Sequence, residues 1–201
     1  MNRLRPWFLL ARIYILPLPT EPVRPELHDG LRVHQASRDE LAQAARELPD
    51  QLDVDDINTA LNRGDICVAA FTGGRTVGFA WGSLSNAPHN DGVQVTVSSP
   101  YVYGYKSYVL PQYRGNHLSA ALIHARDRIF RQNDRHTSVG FVETHNYPSI
   151  TVNKRMGSML VGYAGYVRLF RRYFCFRTPG VRAHTFEFTR VVPGRDVDRP
   201  G

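Results

Sequence analysis

The chain has 201 residues, of which 42% are hydrophobic and 21% charged, a size and composition typical of a single folded domain. These values exclude a disordered or fibrous chain and leave no room for two large domains. The 25 basic residues outnumber the 18 acidic ones and give a formal net charge of +7. Such an excess points to an anionic partner, either cofactor phosphates, a nucleic acid or an anionic membrane; an arginine bias of the genome is the alternative.

Residues 1–30 are predicted to form an extended arm that packs on the domain, because five prolines interrupt them. One short strand is predicted in the arm, at Ile13–Leu16. The apolar run Trp7–Leu10 is too short for a secretory signal and no small-residue cleavage site follows it, so a cytoplasmic protein is expected. No apolar run approaches the roughly 20 residues that a membrane span needs. We predict a single domain at 31–192 and a frayed tail at 193–201.

Residues 31–84 are predicted to fold as a strand, two helices and a β-hairpin. Ser37 and Glu40 form a capping box that begins the first helix, and an apolar pattern of helical spacing follows. The other predicted bounds are Leu31–His34 for the strand, Asp53–Asn62 for the second helix, and Ile66–Phe71 and Thr76–Leu84 for the hairpin.

Two further strands are predicted at Gln94–Val97 and Tyr101–Leu110. In the second, Tyr101, Tyr103 and Tyr105 share one face, whereas strict alternation puts Tyr108 on the other. This slip predicts a bulge near Gly104–Ser107. The tyrosines on the shared face either pack in the core or line a substrate site.

A short loop, Gln112–His117, separates this strand from a helix that begins near Leu118. The helix is predicted from apolar residues that recur on one face at Leu118, Ala121, Leu122, Ala125 and Ile129. A helix that opens directly after such a loop presents unpaired backbone N–H groups and the positive end of its dipole, which suits a pyrophosphate. The alternative is an ordinary connection between a strand and a helix.

A strand at Ser138–Thr144 and another helix are predicted next. Pro148 fits only the first turn of a helix, so this helix begins near Asn146. Asn146, Ser149 and Asn153 then share one polar face, although Asn146 could serve only as the N-cap. The closing strands are predicted at Leu160–Arg168, Leu169–Arg177 and Thr185–Val191. Arginines and aromatics alternate in 168–177, as in some nucleic-acid readers, but a strand with solvated arginines is favoured and no nucleic acid is expected as partner.

Other catalytic motifs are absent from the sequence. Cys67 and Cys175 lack metal-ligand spacing, as do the eight histidines, so we expect neither a disulfide framework nor a metal centre. The P-loop, the dinucleotide-binding glycine motif, the zinc-protease motif and the hydrolase nucleophile elbow are all missing. Kinase, dehydrogenase and zinc-hydrolase functions are therefore not supported.

Two spaced segments carry a resemblance to a known family. Tyr108–Leu122 resembles the acyl-CoA loop of the GNAT superfamily of N-acyltransferases, V-x-P-x-[YW]-R-G-x-G-[IL]-[GAS]-x-x-L, with His117 where that family has glycine. Further along, Asn146–Gly157 is similar to the motif N-x-x-[AS]-x-x-x-Y-x-K-x-G-F, with Asn153 at the position of the tyrosine. The resemblance extends in element order from about Leu31 to Gly165.

The resemblance implies an α/β (α+β) fold: a mixed, mostly antiparallel central sheet of about seven strands flanked by helices, with the fourth and fifth strands splayed to admit the pantetheine arm. It implies acetyl-CoA or another acyl-CoA as co-substrate and direct attack by an amine in a ternary complex. The implied cofactor-binding residues are Val109, Leu110, Arg114, Gly115, Asn116, His117, Leu118, Ser119, Asn146, Ser149 and Asn153.

For catalysis, Glu143 is the candidate base, and Tyr147 or Tyr103 the candidate acid, because an amide at Asn153 cannot donate a proton as an acid. The acceptor is expected to be an amine of a small molecule, a sugar or a polypeptide. Transfer of a long acyl chain and acyl-CoA binding without catalysis stay open as alternatives, and so does a homodimer.

Overall fold

The computed structural model describes residues 7–19, 30–90, 92–115, 117–170 and 172–191. Its strands are β1 (Phe8–Pro17), β2 (Arg32–Gln35), β3 (Ile66–Thr72), β4 (Arg75–Ser83), β5 (Ala87–Asn90), β6 (Val93–Thr96), β7 (Tyr101–Val109), β8 (Thr137–Glu143), β9 (Met159–Leu169), β10 (Arg172–Arg177) and β11 (Glu187–Arg190). Its helices are α1 (Arg38–Glu47), α2 (Val54–Asn62), α3 (Leu118–Arg131), α4 (Tyr147–Arg155) and α5 (Pro179–Arg182), with a 3-10 turn at Pro111–Tyr113.

Eight strands form one mixed sheet in the order β10-β9-β1-β8-β7-β4-β3-β2. Every neighbouring pair is antiparallel except β7 and β8, which run parallel. A second sheet of three strands has the order β11-β6-β5. The predicted fold class is confirmed, but the main sheet has eight strands rather than about seven.

Helices and the second sheet cover the main sheet from both sides. On one face, α1 and α2 pack on β3 and β4 through Leu41, Ile57 and Phe79, and the three-stranded sheet packs on β1, β8 and β9. On the other face, α3 packs on β3 and β4 through Leu118 and Leu122. Burial of these apolar side chains is the main source of stability.

β1 is longer and more central than the predicted strand at Ile13–Leu16. It lies between β8 and β9, and Leu9, Ala11 and Ile13 are all buried. The start of β1 lacks the alternation of apolar and polar residues that marks a strand in the sequence, and pairing with two distant strands extends β1 beyond its predicted bounds. Residues 1–6 and 20–29 of the predicted arm and 193–201 of the predicted tail lie outside the described residues.

The bulge predicted in the tyrosine-rich strand is confirmed. Trp81 pairs with Tyr105 and Ala80 pairs with Ser107, so Lys106 is the extra residue, and its φ is 41°. The bulge returns Tyr108 to the face of Tyr105, where both pack against the same core cluster.

The strand β5 and the short helix α5 were not predicted. β5 contains a proline and pairs with β6 alone, at an edge of the small sheet. Among the described residues, no helix has the length and apolar character needed to cross a membrane.

Candidate active site

The two parallel strands β7 and β8 separate part of the way along their length. They pair only where Tyr101–Tyr103 lies beside Thr137–Val139. Their last close approach is at Gly104 and Gly140, where a Cβ on Gly140 would lie 3.1 Å from the Gly104 carbonyl oxygen. Beyond this point β7 follows β4 while β8 follows β1, which leaves the expected opening between them.

A buried ion pair fixes the position of this opening. The Arg126 guanidinium, from α3, pairs with Asp127 and donates to the Trp81 carbonyl at 3.2 Å and to Ser138 Oγ at 3.0 Å. A Cβ at Gly104 would overlap this guanidinium, so β7 can approach it only with glycine there. One arginine thereby ties α3 to β4 and β8 beside the opening.

On the α3 and α4 side, the opening forms a cleft of about 300 Å³. The strands contribute 104–107 and 138–143 to its walls. Asn146, Ser149 and Asn153 of α4 also line it, so the predicted polar face of this helix does turn toward the opening. Asn146 accepts from the Ser149 backbone N–H at 3.2 Å and is thus the N-cap as well, while Asn153 Nδ2 donates to the Ser149 carbonyl at 3.0 Å.

The N-terminus of α3 lies at the end of the loop after β7. His117 is its N-cap, with φ of 56°, and its side chain makes no capping hydrogen bond. The first bond of the helix runs from Ala121 N to His117 O at 3.0 Å. Within the described ranges, no group accepts from the N–H of Leu118, Ser119 or Ala120, which leaves three donors for an anion.

The other residues of the predicted loop differ in their contacts and backbone conformation. Arg114 Nε donates to the Val109 carbonyl at 3.0 Å, and its guanidinium lies 5.8 Å from the centre of the Tyr108 ring. Leu110 N donates to the Val77 carbonyl at 2.9 Å, so this amide is engaged by β4. Gly115 has φ of 84°, which glycine adopts without strain. Asn116 lies outside the described residues.

A larger cavity of about 670 Å³ lies on the opposite face of the sheet. Its floor is a row of aromatic rings from three adjacent strands, with centroid separations of 6.2 Å from Trp81 to Tyr105, 5.5 Å from Tyr105 to Tyr103 and 6.5 Å from Tyr103 to Phe141. The larger cavity and the cleft share the lining residues Gly104, Tyr105, Lys106 and Phe141. The two spaces therefore lie beside the same opening, one on each face of the sheet.

Hydrogen bonding fixes the centre of this floor. The Tyr105 hydroxyl donates to the buried carboxylate of Asp65, which also forms an ion pair with Arg63. Burial and the charge of Asp65 both raise the pKa of Tyr105, so its phenol stays neutral. Tyr105 consequently lines the cavity with its hydroxyl held by Asp65, and it is not a candidate for the catalytic acid.

The three predicted catalytic side chains occupy different places. Tyr103 is buried in the floor of the larger cavity, where burial raises its pKa and keeps it protonated. Glu143 lies at the end of β8 beside the cleft, with its carboxylate 3.1 Å from His145 Nε2. Tyr147, in the first turn of α4, is 71% exposed and lines neither space.

Sequence reasoning missed His89, which lines the larger cavity from β5. Its Nε2 lies 3.1 Å from the Tyr166 hydroxyl, which also accepts from Asn90 Nδ2 at 2.9 Å. Burial lowers the pKa of His89 to about 4, so the imidazole is neutral at physiological pH. No motif surrounds His89, and only the packing of the small sheet brings it to the cavity.

Comparison with known proteins identifies one matching family and several structures of similar fold. The family model described as the acetyltransferase (GNAT) family matches residues 31–158. No curated protein sequence matches the chain. Among solved structures, a Drosophila protein is 15% identical with a TM-score of 0.58, over 82% of this chain and 52% of its own. The present chain thus spans about half the length of that protein.

Two further structures resemble the chain in fold. The aminoglycoside N-acetyltransferase AAC(6')-Iy in complex with CoA is 24% identical with a TM-score of 0.52, over 63% of this chain and 90% of its own. A tandem GNAT protein from the clavulanic acid biosynthesis pathway is 16% identical with a TM-score of 0.53, over 94% of this chain and 55% of its own. At these identities the likeness concerns the fold alone.

Proposed function

The chain belongs to the acetyltransferase (GNAT) family, and from this premise we propose that it transfers an acyl group, most simply acetyl, from acyl-CoA to an amine. The observation that carries the proposal is the opening between β7 and β8, with one cavity beside it on each face of the sheet. A thioester that enters from one face can there meet an amine that enters from the other.

We place the diphosphate of acyl-CoA at the N-terminus of α3. The N–H groups of Leu118, Ser119 and Ala120, for which the described residues provide no acceptor, and the positive end of the helix dipole favour a negative charge at this position. The remaining residues proposed to contact the cofactor are Val109, Leu110, Arg114, Gly115, Asn116 and His117.

The pantetheine arm would run from the diphosphate into the cleft. Pantetheine carries two amide groups, which need hydrogen-bond partners when they leave water. The side chains of Asn146, Ser149 and Asn153 supply donors and acceptors along one wall of the cleft. This wall supports the proposed role of α4 in holding the cofactor.

The acceptor would occupy the larger cavity. Its volume of about 670 Å³ lies in the range of pockets that enclose a small molecule, and its floor is aromatic. The charged groups at its rim are of both signs, with Lys106 Nζ 3.8 Å from Asp56 Oδ2. We therefore propose an amine on a small molecule or a sugar rather than on a polypeptide.

The proposed reaction is direct attack of the amine nitrogen on the thioester carbonyl. The C–N bond forms and the C–S bond breaks, so one proton must leave the nitrogen and the departing thiolate must gain one. Glu143, the candidate from the sequence, and His89, a neutral imidazole in the wall of the larger cavity, are the two candidate bases. Tyr103 is the proposed acid, because its side chain lines that cavity whereas the side chain of Tyr147 does not.

A thiol-release assay tests the function. Acetyl-CoA and palmitoyl-CoA are each offered with a panel of small amines, amino sugars and peptides. Release of free CoA with acetyl-CoA and a small amine supports the proposal. Turnover with palmitoyl-CoA alone assigns a long-chain acyltransferase, and calorimetric binding of acetyl-CoA without turnover on any amine assigns a binding module.

The acid is tested by Tyr103→Phe, which we expect to lower kcat about 10- to 100-fold with little change in the KM for acyl-CoA. The competing variant Tyr147→Phe should leave kcat near that of the wild type; the reverse result would assign the acid to Tyr147. Tyr163→Phe controls for the loss of a phenol, because Tyr163 lies on β9, two strands from β8, and lines neither cavity.

A further inference from the structure

The end of the main sheet formed by β1, β9 and β10 exposes a group of apolar side chains. Phe8 pairs with Val167, which pairs in turn with Phe174, so these three lie in one row on one face of the sheet. In the next row, Leu10 and Phe176 flank Gly165. We call these residues, together with Leu169 and Phe170 of the β9–β10 turn, the aromatic face.

The apolar side chains of the aromatic face are unusually exposed to solvent. Phe170 is 99% exposed at the turn, Phe174 is 56% exposed on the edge strand, and the neighbouring Trp7 is 69% exposed. The helix α4 packs on Tyr14, further along the same side of the sheet, and among the described residues none packs over the aromatic face. A contiguous exposed apolar surface of this kind is typical of an interaction site.

The charged side chains on the same side of these three strands are basic. By strand register, Arg12 pairs with Tyr163 and Arg172 pairs with Leu169 on the side of the aromatic face. None of the strands β1, β9 and β10 contains an Asp or Glu residue. Arg172 begins the edge strand, and Lys154 and Arg155 end α4. The partner must therefore combine negative charge with an apolar region.

We propose that the aromatic face docks on the surface of an anionic lipid membrane, with the Phe170 turn in the headgroup region and the arginines on lipid phosphates. Aromatic side chains beside Lys and Arg are the side chains that bind at the membrane–water interface, and the basic residues add electrostatic attraction to anionic lipids. The docking is peripheral and does not depend on the proposed acyl transfer.

Two other binding partners, a second copy of the chain and a nucleic acid, fit the aromatic face less well. A second copy of the chain, related by a two-fold axis, would bring Arg12 and Arg172 of the two copies together, and β1, β9 and β10 contain no carboxylate to compensate them. A nucleic acid would stack its bases on the rings, but the aliphatic Leu10, Val167 and Leu169 offer no π surface for stacking. A lipid surface matches both the aliphatic and the aromatic members.

The test is flotation of the full chain with vesicles of phosphatidylcholine alone and of phosphatidylcholine with roughly 30% phosphatidylglycerol, in about 0.1 M NaCl. We expect the chain to float with the anionic vesicles and to remain at the bottom of the gradient when the vesicles are neutral. The double variant Phe170→Asn, Phe174→Thr should reduce partitioning at least tenfold. Asn suits Phe170 because φ there is 45°, and Thr suits a strand.

The matched control is Val54→Ser, which removes an exposed apolar side chain at the start of α2, outside the aromatic face. It should float like the wild type, and both variants should keep the melting temperature and the CoA affinity of the wild type. Absence of flotation, equal flotation with neutral vesicles, or equal flotation of the double variant would overturn the proposal. So would a dimer, seen by light scattering, or oligonucleotide binding that the double variant abolishes.

Discussion

His117 is the residue at which the loop departs most from the family pattern, since histidine replaces a glycine. The backbone there has φ of 56°, and histidine is one of the few side chains enriched in this region. The exposed imidazole does not cap the helix, so the His117 side chain occupies none of the first amides of α3. The substitution is therefore compatible with the anion site proposed here, at a modest cost in backbone strain.

The neutral state of His89 leads to a prediction about stability. In the folded chain the pKa is about 4, against 6.5 for an unperturbed histidine. Between these values the unfolded chain binds a proton that the folded chain does not, so stability falls as the pH drops from 6.5 toward 4 and is unaffected above 6.5. The full shift corresponds to about 3 kcal/mol.

The variant His89→Gln keeps a hydrogen-bonding group near Tyr166 but does not titrate. We expect its free energy of unfolding to fall by about 2 kcal/mol less than that of the wild type between pH 7 and pH 4.5. Urea titrations at the two pH values measure this difference. Glu40 does not interfere, because the backbone hydrogen bond from Ser37 lowers its pKa to about 2 and its contribution is lost only below about pH 4.5. Equal losses in both proteins would contradict the burial of a neutral imidazole.

The polar face of α4, which is proposed to hold the cofactor, could be predicted from the sequence, whereas the larger cavity, which is proposed to hold the acceptor, could not. Asn146, Ser149 and Asn153 lie on one helix, so their common face follows from the spacing alone. Trp81 and Phe141 come from strands that are distant in the chain, and His89 comes from the second sheet, so only strand pairing and the packing of the two sheets bring them together. Nothing local to any of the three indicates a shared cavity.

The helix α3 is the element on which the proposed cofactor site depends most. Its predicted start at Leu118 is correct, because the loop and the helical spacing are local signals. The strand β1 was predicted too short because its partners β8 and β9 lie more than a hundred residues away. Elements fixed by local sequence were thus predictable, while those fixed by distant pairing were not.

A negative charge placed at the N-terminus of α3 tests whether the diphosphate binds there. Ser119→Glu adds a carboxylate in the first turn, where it interacts favourably with the helix dipole but repels a diphosphate. We expect the melting temperature to stay the same or rise, while the Kd for CoA increases at least tenfold. Calorimetry and thermal denaturation measure the two quantities separately.

Arg128→Gln is the matched control for Ser119→Glu. It lowers the net charge by the same amount, but in the last turn of the same helix. Its CoA affinity should stay within about threefold of the wild type, because the screening length at about 0.1 M salt is roughly 10 Å. If both variants weaken CoA binding equally, the effect comes from overall charge and the diphosphate does not lie at this helix end.

At the scale of the whole molecule, the main sheet separates two faces with different tasks. The α3 and α4 side presents the free helix end and the polar wall, and the opposite side presents the aromatic floor. The cleft and the larger cavity share lining residues where β7 and β8 diverge, beside the bulge at Lys106 and the Arg126 ion pair. An opening held by buried contacts needs no large movement to bring the two substrates together.

This arrangement predicts a sequential kinetic mechanism without an acyl-enzyme. A cysteine is the residue best able to accept the acyl group, but Cys67 is buried, burial raises its pKa, and neither cysteine lines a cavity. Initial-velocity plots should therefore intersect, and no CoA should be released without an amine. Cys175→Ser should keep kcat within about threefold of the wild type. Parallel plots, together with an acylated chain in mass spectra, would show that the acyl group passes through the protein, and the two cavities beside the opening would then need another explanation.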